Sequence, residues 1–455
     1  MVELSRRKLL QLAAFGLASR MLPFGTVNAF AGTTGDLGAY QALVCIFLFG
    51  GNDSNNMVVP IDGQARMDYE ASRTIASTLQ LNAANLVDLG LANYTMPDLS
   101  LSTSNFGLHP SMMHLNALKG KLAVIANVGT LVTPLTKDQY RNKLVPRPRA
   151  LFSHSDQQQQ LQTASPLIQS GTGWGGRLAD CMQGGNASST FPTSVSMSGA
   201  NMWLTGAASH PVTLSAGSRL VLNGSTGTSG TARHAGLQEL LNFDTGFSLV
   251  QQASTTLSQG IATGNVINTA LESTNTLDTV FPTSSLGRQL EHIAKLIKVR
   301  DGNIKRQIFF CATGGFDTHS DQVAKHAGLM GGLSEAMAAF YQATVELGVA
   351  NQVTSFTQSD FNRTFQPNPT FGSDHAWGGH HLALGGSVQS GFYGEFPNLT
   401  LDGPSTTDSR GRWIPTTGMD QYGATLATWF GLPAADLNTV FPNLSNFPTV
   451  NLGFV

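Results

Sequence analysis

Charge is scarce in this chain. Only 12% of its 455 residues are Asp, Glu, Lys or Arg and the net charge is −2, against roughly 25% charged residues in most soluble proteins. No stretch concentrates Lys and Arg, which excludes a nucleic-acid partner bound by electrostatics and a basic face for anionic membranes. Cysteine is scarcer still. Three residues cannot build a disulfide framework, and Cys45 and Cys311 sit inside apolar runs, where small buried hydrophobes are found. No apolar run is long and unbroken enough to cross a bilayer as a helix, so no transmembrane helix is expected in the mature chain. Stability therefore rests on core burial, for which 41% hydrophobic residues suffice, and that share also argues against disorder. What replaces charge is glycine, 49 residues of it, with many Ser, Thr and Asn, the composition of long polar loops on a packed core.

The front of the chain reads as an address. Ser5-Arg6-Arg7-Lys8-Leu9-Leu10 sets paired arginines before a modest apolar stretch that reaches about Phe24 and is interrupted by Gly16 and Arg20. Ala29-Phe30-Ala31 then offers a small-x-small cleavage site. Basic, apolar and small-x-small in that order predict a twin-arginine signal over residues 1–31, read by the twin-arginine translocase. Residues 32–455 are then a single α/β domain delivered, already folded, to the periplasm or the exterior. Folded export is a common route for a protein that acquires a metal before it leaves.

Behind the signal, strand and helix alternate. Residues 42–49, ALVCIFLF, form an apolar run without alternation that ends in Gly50-Gly51-Asn52-Asp53; such runs fit a strand buried on both faces of a parallel sheet. A short helix is predicted from Pro110 to Leu118 and the next strand over 121–128. Further along come a helix over 286–299, a strand over 308–312, a helix over 333–347 and a strand over 353–357. The economical architecture is a doubly wound, mostly parallel sheet with helices on both faces. A Gly/Ser/Thr-rich insertion is expected around 184–280, loops and short strands first, then polar helix from His234 to about Ser273.

Ligands of open parallel sheets bind at the carboxyl ends of the strands. Three predicted strands end in polar clusters there: Asp53, Asp317-Thr318-His319 and Ser359-Asp360. A fourth cluster, Asp374-His375 with His380-His381, follows closely, so three of eleven histidines lie within seven residues. Carboxylates and imidazoles on one sheet edge suit one or two divalent cations, Zn²⁺ first for a mixed N/O set, Mn²⁺ as a further option, and Mg²⁺ or Ca²⁺ if oxygen dominates. Such ions serve phosphoryl or sulfuryl transfer. Ser153, in Phe152-Ser153-His154-Ser155-Asp156, precedes a Gln-rich helical stretch and is either a nucleophile at a helix N-terminus or a plain cap.

Taken in order, these motifs resemble an exported family catalogued as the domain of unknown function numbered 1501, related to the alkaline phosphatase and sulfatase superfamily. The resemblance runs from the Arg-Arg signal through Phe49-Gly50-Gly51-Asn52-Asp53, Gly107-Leu108-His109-Pro110 and Ser153-His154-x-Asp156. It continues over Gly173-Trp174-Gly175-Gly176-Arg177-Leu178, Gly315-Phe316-Asp317-Thr318-His319 and Ser359-Asp360-Phe361-Asn362-Arg363-Thr364 to Gly372-Ser373-Asp374-His375 and Trp429-Phe430-Gly431-Leu432. It implies that Asp53 binds metal, that Ser153 attacks, with His154 and Arg363 as companions, and that Asp317 and His319 serve one ion. Either Asp360 or the Asp374-His375 pair then serves a second, with His380 or His381 as a last ligand. Asp317 and His319 stand two apart where the superfamily spaces them four apart, and no Cys or Ser is followed by the sulfatase signature x-Pro-x-Arg. The implied activity is a metal-dependent hydrolase or transferase of a small anionic ester, glycan-like or otherwise. The competing implication is a non-catalytic binding or structural protein that keeps the fold.

Overall fold

A computed structural model describes residues 37–90 and 105–455, apart from 187, 223, 244–245 and 274–275; the signal expected over 1–31 lies outside these residues. The central sheet is built from β1 (Gln41–Leu48), β2 (Leu122–Gly129), β3 (Ser194–Ser196), β4 (Val212–Thr213), β5 (Arg306–Thr313), β6 (Val353–Ser359), β7 (Gly379–Gly385), β8 (Gly391–Tyr393) and β9 (Thr417–Gly418). Their order is β8-β2-β7-β6-β1-β5-β3-β4, with β9 paired to the end of β2. β1 lies at the middle, parallel to β5 on one side and β6 on the other. Only β7 runs against its neighbours, antiparallel to both β2 and β6. The fold is mixed α/β and its sheet mostly parallel; β7 and the short β8 and β9 are absent from the sequence-based expectation.

Helices cover both faces: α1 (His154–Thr163), α2 (Trp174–Met182), α3 (Gly227–Leu241), α4 (Ser248–Ser273), α5 (Ser285–Val299), α6 (Gln322–Glu346) and α7 (Met419–Trp429). Alternation along β1 shows why its sequence has no polar period. Ala42, Val44, Ile46 and Leu48 enter the core shared with α5 and α6, whereas Leu43, Cys45 and Phe47 enter the core with Trp174, Trp203 and Tyr422. A strand whose two faces are both dry must be apolar at every position. Cys45 and Cys311 fall into opposite cores, and all three cysteines are buried and unbridged.

Two helices depart from the sequence reading. The segment Pro110–Lys121 is a 3₁₀ run and not an α-helix. α6 begins at Gln322, eleven positions before the predicted start, because Gly328, Gly331 and Gly332 mask its propensity. A Cβ at Gly331 would meet Ser111 at an ordinary 3.7 Å, and at Gly328 and Gly332 it would meet nothing within 4 Å. The short strands of the insertion, β3 and β4, extend the central sheet at its edge. α3 and α4 carry exposed Leu240, Leu249 and Val250 on its outside. Among the described residues no helix is long and apolar enough to cross a membrane.

Candidate metal centre

The loops that follow β1, β5 and β6 meet because two glycines let them. Gly50 has φ +113°, and a Cβ there would lie 2.5 Å from the Asp317 nitrogen; at Gly51, φ +80°, a Cβ would lie 2.4 Å from the Phe361 ring. Both positions need the left-handed region and the missing side chain. The turn before α1 is also left-handed, at Ala150 (φ +43°) and Phe152 (φ +73°). It turns the Phe152 carbonyl toward the loop after β6.

Three histidines converge where these loops meet. The Nε2 of His319 lies 3.0 Å from that of His375. From Asp317 the three Nε2 atoms stand at 3.0 Å (His319), 3.3 Å (His375) and 3.6 Å (His154). Ligand atoms of His154, Asp317 and His375 all fall within 4.8 Å of one another. The other nitrogen of each ring is committed. His154 Nδ1 is 2.7 Å from the Asp360 carboxylate, His319 Nδ1 is 3.1 Å from that of Asp374, and His375 Nδ1 is 2.8 Å from the Phe152 carbonyl. A carbonyl or carboxylate oxygen accepts, so each Nδ1 carries a proton, and a ring in its neutral form turns a bare Nε2 lone pair inward. Two such lone pairs at 3.0 Å call for a proton or a metal ion between them. Ligands bonded at 2.0–2.1 Å to one tetrahedral ion stand about 3.3 Å apart; the separations among His319 Nε2, His375 Nε2 and Asp317 Oδ1 are 3.0, 3.0 and 3.3 Å, and His154 Nε2 approaches the other oxygen, Oδ2, at 3.6 Å. Donation of the outer N–H to carboxylate or carbonyl is the usual support of metal-bound imidazole.

Burial and charge fit the same picture. Burial holds the His375 imidazole below its usual pKa, which favours the neutral ligand form. Burial works to raise the Asp317 carboxyl, but hydrogen bonding and charge from Arg363 outweigh it and hold the group below the carboxylate range. Arg363 is fully buried and donates to Asp317 Oδ1 at 2.7 Å. Burial likewise works to raise Asp374, and Asn368 and Arg410 bring it down. Phe361 lines the floor, its ring 4.7 Å from both His154 and His375.

The remaining expected residues lie elsewhere. Asp53 does not join the cluster. It is wholly buried and paired with Arg73, also wholly buried, and it accepts further hydrogen bonds from Asn55 and Gln322. Asp360 stands behind His154, accepting from His154, from Gln158 at 2.7 Å and from the Gly50 N–H at 3.1 Å. Asp374 is likewise behind His319, and it is paired with Arg410. His380 lies inside β7, where its Nδ1 accepts from the Asn127 N–H and its ring stacks on Phe396. His381 stacks on Tyr422 on the other side. Ser153 caps α1 by position and donates to Asp156 Oδ2 at 2.8 Å. Arg73, Gln322 and Arg410 escaped the sequence reading, having no local signal; His154 was visible through its place beside Ser153.

The buried imidazoles away from the cluster make the fold acid-sensitive. Burial pushes His380 and His326 down to about 3 and His109 and His381 down to about 4. Their folded values lie below the unfolded one, so the unfolded chain takes up protons first as pH falls. Stability is full above about pH 6.5 and drops by roughly 1.4 kcal/mol per group per pH unit below it. Urea midpoints measured between pH 7.5 and 4.5 are expected to fall steadily below 6.5; a flat profile would refute the burial of these rings.

The family profile described as "Protein of unknown function (DUF1501)" matches residues 40–406. No functionally curated protein matches the sequence. Among solved structures, one similar chain is Ps i-CgsB in complex with k-i-k-neocarrahexaose, with TM-score 0.33 and 7% identity over 90% of this chain and 77% of that one. Another is the lipoteichoic acid synthase LtaP from Listeria monocytogenes, with TM-score 0.30 and 8% identity over 86% and 80% of the two chains.

Proposed function

This chain belongs to the DUF1501 family of proteins of unknown function, and we propose that it is an exported metal-dependent hydrolase or transferase acting on a phosphate or sulfate ester. The observation that carries the reading is the convergence of three Nε2 atoms on one carboxylate, each ring held from behind through its Nδ1. His154, His319, His375 and Asp317 hold the ion. The N₃O donor set favours Zn²⁺, with Mn²⁺ next; Mg²⁺ and Ca²⁺ prefer oxygen. Bound there, the ion supplies a Lewis acid for the ester oxygen. Asp360, Asp374 and the Phe152 carbonyl fix the rings, and Arg363 fixes Asp317. Ser153 donates to Asp156 and has no imidazole partner, which supports a substrate-contacting role over attack. Arg410, about one-third exposed beside Asp374, adds positive charge for a small anionic, glycan-like ester. Delivery by the twin-arginine translocase to the periplasm or exterior completes the proposal.

Mature protein loaded with Zn²⁺ or Mn²⁺ is expected to hydrolyse an aryl phosphate or an aryl sulfate, to lose this with a chelator and to regain it on metal return. Absence of turnover with both esters and both metals sinks the enzymatic reading. One observation favours a non-catalytic binding protein: Arg363 already neutralises Asp317. That alternative predicts tight metal uptake without turnover, which the same assay separates. Asp360→Asn replaces the carboxylate behind His154 by a weaker acceptor, and metal affinity is expected to drop by roughly 10–100-fold, read by competition with a chelating dye.

A further inference from the structure

The sheet edge presents more carboxylates than one ion needs, and the question is whether a second ion sits beside the first. We infer that the site holds a single ion, and that the Arg73 guanidinium is a built-in cation where a second ion would otherwise stand. The inference rests on the metal reading above and deepens it.

Each neighbouring carboxylate is committed at one or both of its oxygens. Asp53 Oδ1 accepts from Asn55 at 3.1 Å, and its Oδ2 accepts from Arg73 and Gln322. Arg73 is held from its far side by the Thr364 and Phe365 carbonyls, at 3.3 and 2.9 Å. A guanidinium does not give up its proton in a protein, so its charge is permanent, and burial to 0% exposure leaves little water to screen it from a neighbouring divalent ion. Asp374 is divided between His319 and Arg410. Asp360 Oδ2 has three donors. Its Oδ1 is buried without a partner and borders a cavity of about 10 Å³ lined also by Thr130, Ser359 and His380. That space suits one water. His380 has its Nδ1 committed to Asn127 and cannot offer it. Among the described residues, Asp317 is the carboxylate that faces three imidazole Nε2 atoms.

Arg73 also touches the centre mechanically. Gln322 donates to Asp53 and accepts from the Ser373 hydroxyl, next to the Asp374-His375 pair. The Asp53–Arg73 pair thus anchors the loop that brings His375 to the ion, a positioning task that asks for a fixed cation and not an exchangeable one.

The test is a titration of metal-free mature protein with Zn²⁺ alone, followed by calorimetry and by elemental analysis after gel filtration. One equivalent per chain is expected, and Co²⁺ in its place is expected to show the visible absorption of one tetrahedral site. Asp53→Asn, which keeps shape and removes charge, is expected to bind at most one equivalent, and more weakly than the wild type because the His375 loop loses part of its anchor, with circular dichroism confirming the fold. The wild-type count stands if that variant fails to fold. Two tight equivalents, in the wild type or in a folded Asp53→Asn, overturn the single-ion inference while leaving the metal reading intact. Zero equivalents overturn both.

Discussion

His375→Ala is expected to weaken Zn²⁺ binding by more than about 100-fold, beyond the roughly 10–100-fold that follows loss of an outer-shell partner. His375 Nε2 lies 3.0 Å from that of His319 and 3.3 Å from Asp317 Oδ1. Its removal takes away a ligand and also uncovers the Phe152 carbonyl, which loses its imidazole donor. His319→Ala should behave alike. His114→Ala, at an exposed position of the 3₁₀ run, serves as the control and should change nothing. Dye-competition isotherms at fixed pH and low salt measure all three. A His375→Ala affinity within tenfold of the wild type would refute the ligand assignment, whatever the activity shows.

Arg73→Met is expected to destabilise the fold by about 3–5 kcal/mol, the usual cost of stranding one member of a buried ion pair. Asp53 would be left with no cationic partner and no exposure to water, helped by two amides. Double replacement, Arg73→Met with Asp53→Leu, removes both charges and should recover a large part of the loss. Urea unfolding in excess chelator isolates this effect from metal linkage. A loss below about 1 kcal/mol in Arg73→Met would mean that Asp53 finds other solvation, and the pair would not be the anchor described.

Much of the scaffold was legible because dry strands advertise themselves. The unbroken run before Gly50 could only be a strand with two covered faces; the run at 121–128 matches β2 to within one residue at each end, and those at 308–312 and 353–357 lie within β5 and β6. β7 escaped because His380 and His381 open it. Imidazoles look polar in a sequence, but neutral rings stacked on Phe396 and Tyr422 are tolerated in a core. The same pair drew attention as ligands for the wrong physical reason: proximity in sequence to Asp374-His375, when the strand carries them into the interior.

The amino-acid sequence by itself determined that Asp and His residues collect at the carboxyl ends of three neighbouring strands, since that follows from where apolar runs stop. It could not determine which of them share an ion. Asp53 and Asp317 each follow a glycine turn at a strand end and look equivalent on paper. Only the tertiary structure set Arg73 against the first and three imidazoles against the second. The deciding quantity is the proton on each ring, and a ring's proton is placed by the acceptor at its Nδ1: Asp360, Asp374 and the Phe152 carbonyl, 206, 55 and 223 residues away along the chain.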